Sequence, residues 1–358
     1  MPGRPRLRSL LLALAPVACL SAAGCGGVIA GTEPWEPPSY WAQEHVAQIE
    51  GLDICYLDEG PRDAAETIVF IHGWSGNVQN WWDQFEHFED RYRVVVFDAP
   101  GHGKSSRGDI DYSMELQMAV LDGLLDALEI ERAIVVGNSG GGWIATNYAI
   151  AHPERVTRLV IADSTGTRHK GSAGAVLELM NARWLQVSNM TTGEHYPGLD
   201  AKSRARQEFV ASFAGTVEEA PYLEALAAML APAYAVIPKH ALATIAAPTL
   251  IVWGDDDPVV PINAMKIFDK FIADSQTYVI HLGGHSPMMQ SPDEFNCAMD
   301  AFLSGGDAGA CKQYALTPER RADRLAGREW GPHYARSSSA AGPASAAVVA
   351  GESAPLGP

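Results

Sequence analysis

The chain has no run of apolar residues near the length of about 18 that crosses a bilayer, so a membrane-spanning helical fold is excluded. It has no excess of positive charge either: 26 Lys and Arg stand against 43 Asp and Glu, a formal charge of -17. Binding phosphate backbones needs a basic face, so a nucleic-acid partner is excluded and the acidity reads as solubility. No internal repeat is visible. Cysteine is scarce, five in all, and no pair has the spacing of metal ligands, so no metal site is expected. What remains is an ordinary globular balance, 47% apolar and 19% charged in 358 residues. That length suits one large α/β domain with an insertion.

The first residues differ in kind. Arg4, Arg6 and Arg8 precede an apolar stretch over residues 10–20, then the small residues "SAAG", then Cys25. This tripartite order is that of a secretion signal, and residues 1–24 are read as one. Small residues just before a cysteine resemble a bacterial lipoprotein signal, which implies cleavage before Cys25, lipid on that cysteine and attachment to a membrane of the cell envelope. Gly26 is not the aspartate linked to inner-membrane retention, so the resemblance points to the outer membrane. Alanine three residues upstream departs from the usual leucine; the other reading is an ordinary signal with Cys25 incidental. In an oxidising compartment Cys297 and Cys311 are either a bridge that pins the chain after the last helix or two idle thiols.

Residues 25–40 ("GTEPWEPPSY" within them) read as a tether. From residue 41 strands and helices alternate. "HVAQIEGLDICYLDEG" predicts a β-hairpin; "ETIVFIHG", "YRVVVFDAPG", "RAIVVGNSGGG", "RLVIADSTG", "PTLIVWGDDDPVVP" and "QTYVIHLGGH" predict buried strands; "MELQMAVLDGLLDALEI" predicts an amphipathic helix. Short Val/Ile/Leu strands separated by helices mean a mostly parallel sheet covered on both faces. Residues 41–164 and 249–304 are assigned to this α/β core, ending in the helix "PDEFNCAMDAFL". Residues 165–248 carry helical patterns and no convincing strand, and are read as a helical lid above the sheet. Residues 305–358 lose periodicity and become a low-complexity tail.

The stretch "IVVGNSGGGW" puts one serine at the corner between a buried strand and a helix, among glycines. A nucleophilic serine needs such a tight turn, where bulky neighbours collide; Gly137, Gly140 and Gly141 supply the tolerance around Ser139. The helix that starts there aims its N-terminal amides at the reacting centre. A phosphate cradle would need GxxxxGK[ST] or GxGxxG, and neither fits. Serine is a poor nucleophile without a base and a residue to orient it. "WGDDDPVVP" and "LGGHSPMMQSPDEF" each follow a late strand, at the sheet edge where open α/β folds keep their sites. In "FIHGWSGN" the amide of Trp74 would join that of Gly140 as donors to a tetrahedral oxygen.

With these motifs in this order the chain resembles the α/β-hydrolase superfamily, over roughly residues 41–303. The HG turn (His72, Gly73), the "DAPGHGKSS" loop, the G-x-S-x-G elbow, the acidic turn and the closing histidine carry the resemblance. It implies Ser139 as nucleophile, Asp257 as orienting acid, His285 as general base, and Trp74 and Gly140 as a backbone oxyanion hole. Asp255 and Asp256 compete with Asp257 for the acid; if Asp257 takes it, they are solvated turn residues. His281 reads as a packed or edge residue within a strand. His72 and His102 read as braces of their loops, Ser75 as the cap of the helix "VQNWWDQF", and Trp81 or Trp82 as core.

Relatives that open epoxides or displace halide place aspartate where Ser139 stands, so acyl transfer to water is the expected chemistry, with no metal and no cofactor. A small carboxylic ester is the expected substrate, held in an apolar pocket under the lid by residues such as Leu177, Met180, Trp184, Met229 and Leu230. One alternative is hydrolysis of a carbon-carbon bond: "GNS" resembles the elbow of enzymes that cleave ring-fission diketones, although those have tryptophan after the histidine where this chain has Ser286. The other alternative is a non-catalytic binding lipoprotein on the same fold.

Overall fold

The computed structural model describes residues 44–167 and 236–314, apart from residues 75, 109, 258 and 282. The segments read as a secretion signal and tether, Cys25, most of the segment read as a lid with the five residues assigned to its pocket, and nearly all of the segment read as a tail lie outside the described residues, as does Ser75.

Eight strands make one sheet: β1 (His45–Ile49), β2 (Leu52–Glu59), β3 (Thr67–Ile71), β4 (Arg93–Phe97), β5 (Ala133–Asn138), β6 (Val156–Ala162), β7 (Thr249–Gly254) and β8 (Ser275–Ile280). Their spatial order is β1-β2-β4-β3-β5-β6-β7-β8. The first two form the expected hairpin, with Glu50 and Gly51 both at positive φ in its turn. β2 runs antiparallel to β4, and from β4 to β8 every neighbouring pair is parallel. The inner parallel strands are apolar runs because both faces are covered; all six residues of β5 and of β7 are buried, whereas the edge strand β8 is only partly so.

Side chains alternate across the sheet with a period of two. Val69, Ile71, Val95 and Val135 face one side, where they pack with α2 (Met114–Ala127), α3 (Gly140–Ala151) and α5 (Met265–Phe271), together with Leu242 of the short α4 (Lys239–Leu242). Phe70 faces the other, against Trp81 and Phe88. That layer holds a 3-10 turn (Val78–Trp81), α1 (Trp82–Phe88), α6 (Pro287–Gln290) and α7 (Pro292–Leu303), with Trp81 against Phe295 of α7. Trp81 and Trp82 are both buried, as expected for core.

Helix character follows burial. α2 is amphipathic: Val120, Leu121, Leu124 and Leu125 face the core, and Ser113 caps its first turn by accepting from the Leu116 amide. α3 is buried on almost every side and so shows no polar stripe. The turn at Val78–Trp81 is capped by Asn77, whose side chain accepts from the Gln79 amide while Asn80 Oδ1 accepts from the Asn77 amide. The final helix falls where the sequence places it, and a disulfide joins Cys297 on α7 to Cys311 in the 3-10 turn Ala308–Tyr314. Of the two readings for these cysteines, the bridge is the one observed.

Candidate active site

Ser139 stands between β5 and α3 at φ 53° and ψ −115°. An L-residue pays roughly 1–3 kcal/mol for such a conformation, and the surroundings hold it there: the Ser139 amide donates to Ala162 O at 2.9 Å, and its carbonyl accepts from Trp143 and Thr165. The glycines are required by close approach rather than by φ. A Cβ on Gly137 would stand 2.3 Å from Gly141 O, and one on Gly141 would stand 2.2 Å from Ile71 O. Any larger residue would push α3 away from β3 and β5.

His285 and Asp257 arrive on adjacent loops. The loops after β7 and β8 touch at Gly254, where a Cβ would stand 2.1 Å from Gly284 O. His285 Nε2 lies 2.9 Å from Ser139 Oγ, and His285 Nδ1 lies 2.8 Å from Asp257 Oδ2. Asp257 Oδ1 accepts from the amides of Val259 and Val260 at 2.7 and 3.0 Å. With Nδ1–H donated to the carboxylate, Nε2 is the nitrogen left to accept from the serine hydroxyl. The indole of Trp253 pins the acid loop by donating to Val260 O.

The HG turn passes beside the serine: a Cβ on Gly73 would stand 3.0 Å from Ser139 Cβ. Trp74 follows, and its indole lies over the first turn of α3, so that a Cβ on Gly140 would meet it at 2.4 Å. Trp74 also stacks on His102 and meets Trp143 edge-on, and it packs with Ile110 against Tyr112. The residues around the serine on this side are apolar or aromatic.

Behind this wall the loop histidines act as braces. His72 Nε2 accepts from the Ala99 amide and Nδ1 donates to Gly73 O. Burial pushes His72 down to about 4 and His102 down to about 3, so both are neutral. Asp98 is buried between the two loops, accepting from the amides of Val78 and Lys104; burial pushes it up to about 6 despite those amides.

Of the neighbouring acids and His281, one expectation holds and one needs correction. Asp255 and Asp256 are exposed turn residues, as expected once Asp257 takes the acid's place, and each also makes a contact: Asp255 pairs with His281, and Asp256 accepts from the Gly284 amide at 2.7 Å, tying the loop after β7 to the loop after β8. His281 is not inside a strand, since β8 ends at Ile280; it is half-exposed and held by Asp255.

Two residues escaped sequence reasoning. Asn138 donates to both Ala162 O and His285 O, linking the residue before the serine to the backbone of the histidine. Asp163 follows β6, fully buried at φ 45°, and its Oδ1 accepts from the Gly254 amide. Burial holds its carboxyl well above the usual range, and the neighbouring Asp257 carboxylate raises it further. An acid at the carboxyl end of a parallel strand was the available signal. Asp163, Asp257 and His285 each offer one ligand atom, all within 4.8 Å of one another, the spacing of a cation site. Both nitrogens of His285 are already engaged by Asp257 and Ser139, so coordination there would break that chain.

A strand-turn-helix serine, hydrogen-bonded to histidine and acid from the last two strands of a mostly parallel sheet, defines a hydrolase of the α/β type. The model of the α/β-hydrolase fold family matches residues 66–292, more than half of the chain, and the protein belongs to that family. A 2-hydroxy-6-oxononadienedioate/2-hydroxy-6-oxononatrienedioate hydrolase of Cupriavidus pinatubonensis is 31% identical over 252 residues, 67% of this chain and 87% of that protein. Among solved structures, a bacterial membrane phospholipase A superposes with a TM-score of 0.63 at 26% identity, over 73% of this chain and 86% of that one. An N-acyl homoserine lactone degrading enzyme superposes with a TM-score of 0.60 at 28% identity, over 72% and 100%.

Proposed function

We propose that the protein is a serine hydrolase in which Ser139 takes up an acyl group and passes it to water, and that the bond it breaks is a carbon-carbon bond of a vinylogous diketone acid. The unbroken chain of hydrogen bonds from Asp257 through His285 to Ser139 carries the mechanistic reading. His285 Nε2 takes the hydroxyl proton as Oγ attacks a carbonyl carbon. Asp257 accepts Nδ1–H and stabilises the imidazolium that forms. The amides of Gly140 and Trp74, one opening α3 and the other following the HG turn, are assigned to the tetrahedral oxygen. The intermediate then collapses, the leaving group takes a proton, and water releases the acid from Ser139.

The relatives support the substrate class. A 2-hydroxy-6-oxo-dienedioate contains no ester and no amide, so its hydrolysis must break a carbon-carbon bond beside the ketone. In the 2-oxo tautomer the departing carbon leaves as an extended enolate, whose charge reaches the distant oxygen through the conjugated chain. Addition of water then gives one carboxylic acid and one hydroxydienoate. The same relay serves both halves of the reaction.

Ester or lactone cleavage is the second reading. Ser286 favours it, standing where the diketone hydrolases that this elbow resembles have tryptophan. The likeness to the phospholipase and to the lactone-degrading enzyme supports it as well.

The test has two stages. A fluorophosphonate probe is expected to label wild-type protein covalently at Ser139 and to leave Ser139→Ala unlabelled; folded wild-type protein that does not react would sink the hydrolase reading. Turnover of a 2-hydroxy-6-oxo-dienoate is then compared with p-nitrophenyl acetate, butyrate, longer esters and a lactone. The diketone is expected to be preferred, and a clear preference for any ester overturns that assignment in favour of the second reading. His285→Ala is expected to lose about three or more orders of magnitude in kcat on whichever substrate is turned over.

A further inference from the structure

Asp163 has no part in the relay described above, yet its carboxyl lies beside it. Oδ1 accepts from the Gly254 amide at 3.0 Å, whereas Oδ2 is fully buried and, among the described residues, no N–H or hydroxyl donor reaches it. The backbone at φ 45°, with the Asp163 amide donating to Val252 O, fixes the direction of the side chain. The titratable groups that face it are Asp257 and Asp256 from the loop after β7 and His285 from the loop after β8.

Two adjacent carboxylates in a buried site do not both stay ionised; they share a proton. Their hydrogen bonds decide which one keeps it. Asp257 accepts from two backbone amides and from His285 Nδ1–H, three donors that favour the charged form. Asp163 accepts from one amide and leaves its second oxygen bare. The proton therefore belongs on Asp163 Oδ2, which becomes a donor, and the carboxylate in front of it is that of Asp257.

We propose, on the functional reading given above, that Asp163 is a positioning residue whose carboxylic O–H donates to the Asp257 carboxylate and so holds Asp257, and through it the His285 ring, in line with Ser139. The strained backbone after β6 then has a use, since it turns an acid inward at the point where β6 and β7 end side by side. The same O–H draws negative charge away from Asp257 and moderates its pull on the imidazolium.

Asparagine can reproduce both contacts, with its oxygen accepting from the Gly254 amide and its NH2 donating to Asp257; alanine can reproduce neither. Asp163→Ala is expected to lose roughly tenfold or more in kcat, the scale of a hydrogen bond to a charged group, and Asp163→Asn to recover most of that loss. The acid limb of the kcat/KM profile of Asp163→Ala is expected to move to higher pH, because removing the donor leaves more negative charge on the Asp257 carboxylate beside the imidazole. An ionised Asp163 predicts the opposite, since removing a negative charge moves the limb to lower pH. A shift in that direction, or an asparagine variant as damaged as the alanine one, overturns the proposal.

An infrared difference spectrum at neutral pH, wild type minus Asp163→Asn, decides the matter without turnover and without the alanine variant folding. A carboxylic-acid C=O band that shifts in heavy water supports the proposal, and carboxylate bands in its place overturn it. Fluorophosphonate labelling of wild-type Ser139 in parallel keeps the two claims separate: loss of labelling counts against the hydrolase reading, while the infrared result alone places the proton.

Discussion

His72 shows how a side chain outside the chemistry still couples the site to pH. Its imidazole is fully buried, accepts from the Ala99 amide and is held down to about 4 from an ordinary 6.5. Its pKa is lower folded than unfolded, so the unfolded chain takes up the proton first on acidification. The stability that the neutral ring contributes is whole above 6.5 and is lost as pH falls from 6.5 toward 4. Relative to His72→Asn, wild-type protein is expected to lose about 3 kcal/mol across that window, measured as urea midpoints at several pH values. A difference between the two proteins that stays constant with pH would show that the ring is not held neutral. Asp98 works in the opposite sense: its raised value lets the folded state gain a proton near 6, which is why the comparison is made against the His72 variant rather than on wild type alone.

At the scale of elements, the meeting of the loops after β7 and β8 depends on Gly254, which has Gly284 O where a Cβ would go. Gly254→Ala is expected to cost about 1–3 kcal/mol of stability through overpacking. Because the displaced loops carry Asp257 and His285, it should also cost about a hundredfold in turnover; thermal unfolding and kcat on the same preparation check both. Unchanged activity would mean that the two loops are not rigidly coupled. These elements also show what the sequence could reveal. β3 to β7 were legible because a strand buried on both faces has to be written in Val, Ile and Leu, and α2 because its apolar residues recur at helical spacing. Ser139, Asp257 and His285 were legible because each sits on a turn with its own local signature. Asp163 was not, since an acid after a strand looks like any solvated turn residue until burial and the approach of Gly254 are known. His281 was misplaced because β8 stops one residue early, where Asp255 takes hold of the ring. The preference between diketone and ester was equally hidden, because most of the segment assigned to substrate specificity, residues 165–248, has no motif of its own and lies outside the described residues.

For the molecule as a whole, the bridge from Cys297 to Cys311 ties the last helix to the turn that follows, closing a loop with a separation of 14 residues. Loops of that size are worth about 3 kcal/mol through the unfolded chain. The double variant Cys297→Ser/Cys311→Ser is expected to unfold at a lower denaturant concentration by that margin under oxidising conditions, and to match wild type once both are reduced. Equal midpoints in the absence of reductant would show that the bridge adds no stability.

Ser139 and His285 are 146 positions apart, and the histidine lies beyond the last strand. A polypeptide emerging from the ribosome therefore presents its serine well before it owns a base, and a partner for that base exists only after β7 and β8 have docked. Catalytic power switches on at the close of folding rather than growing with chain length, so an unfolded precursor carries the whole sequence of the enzyme with none of its reactivity.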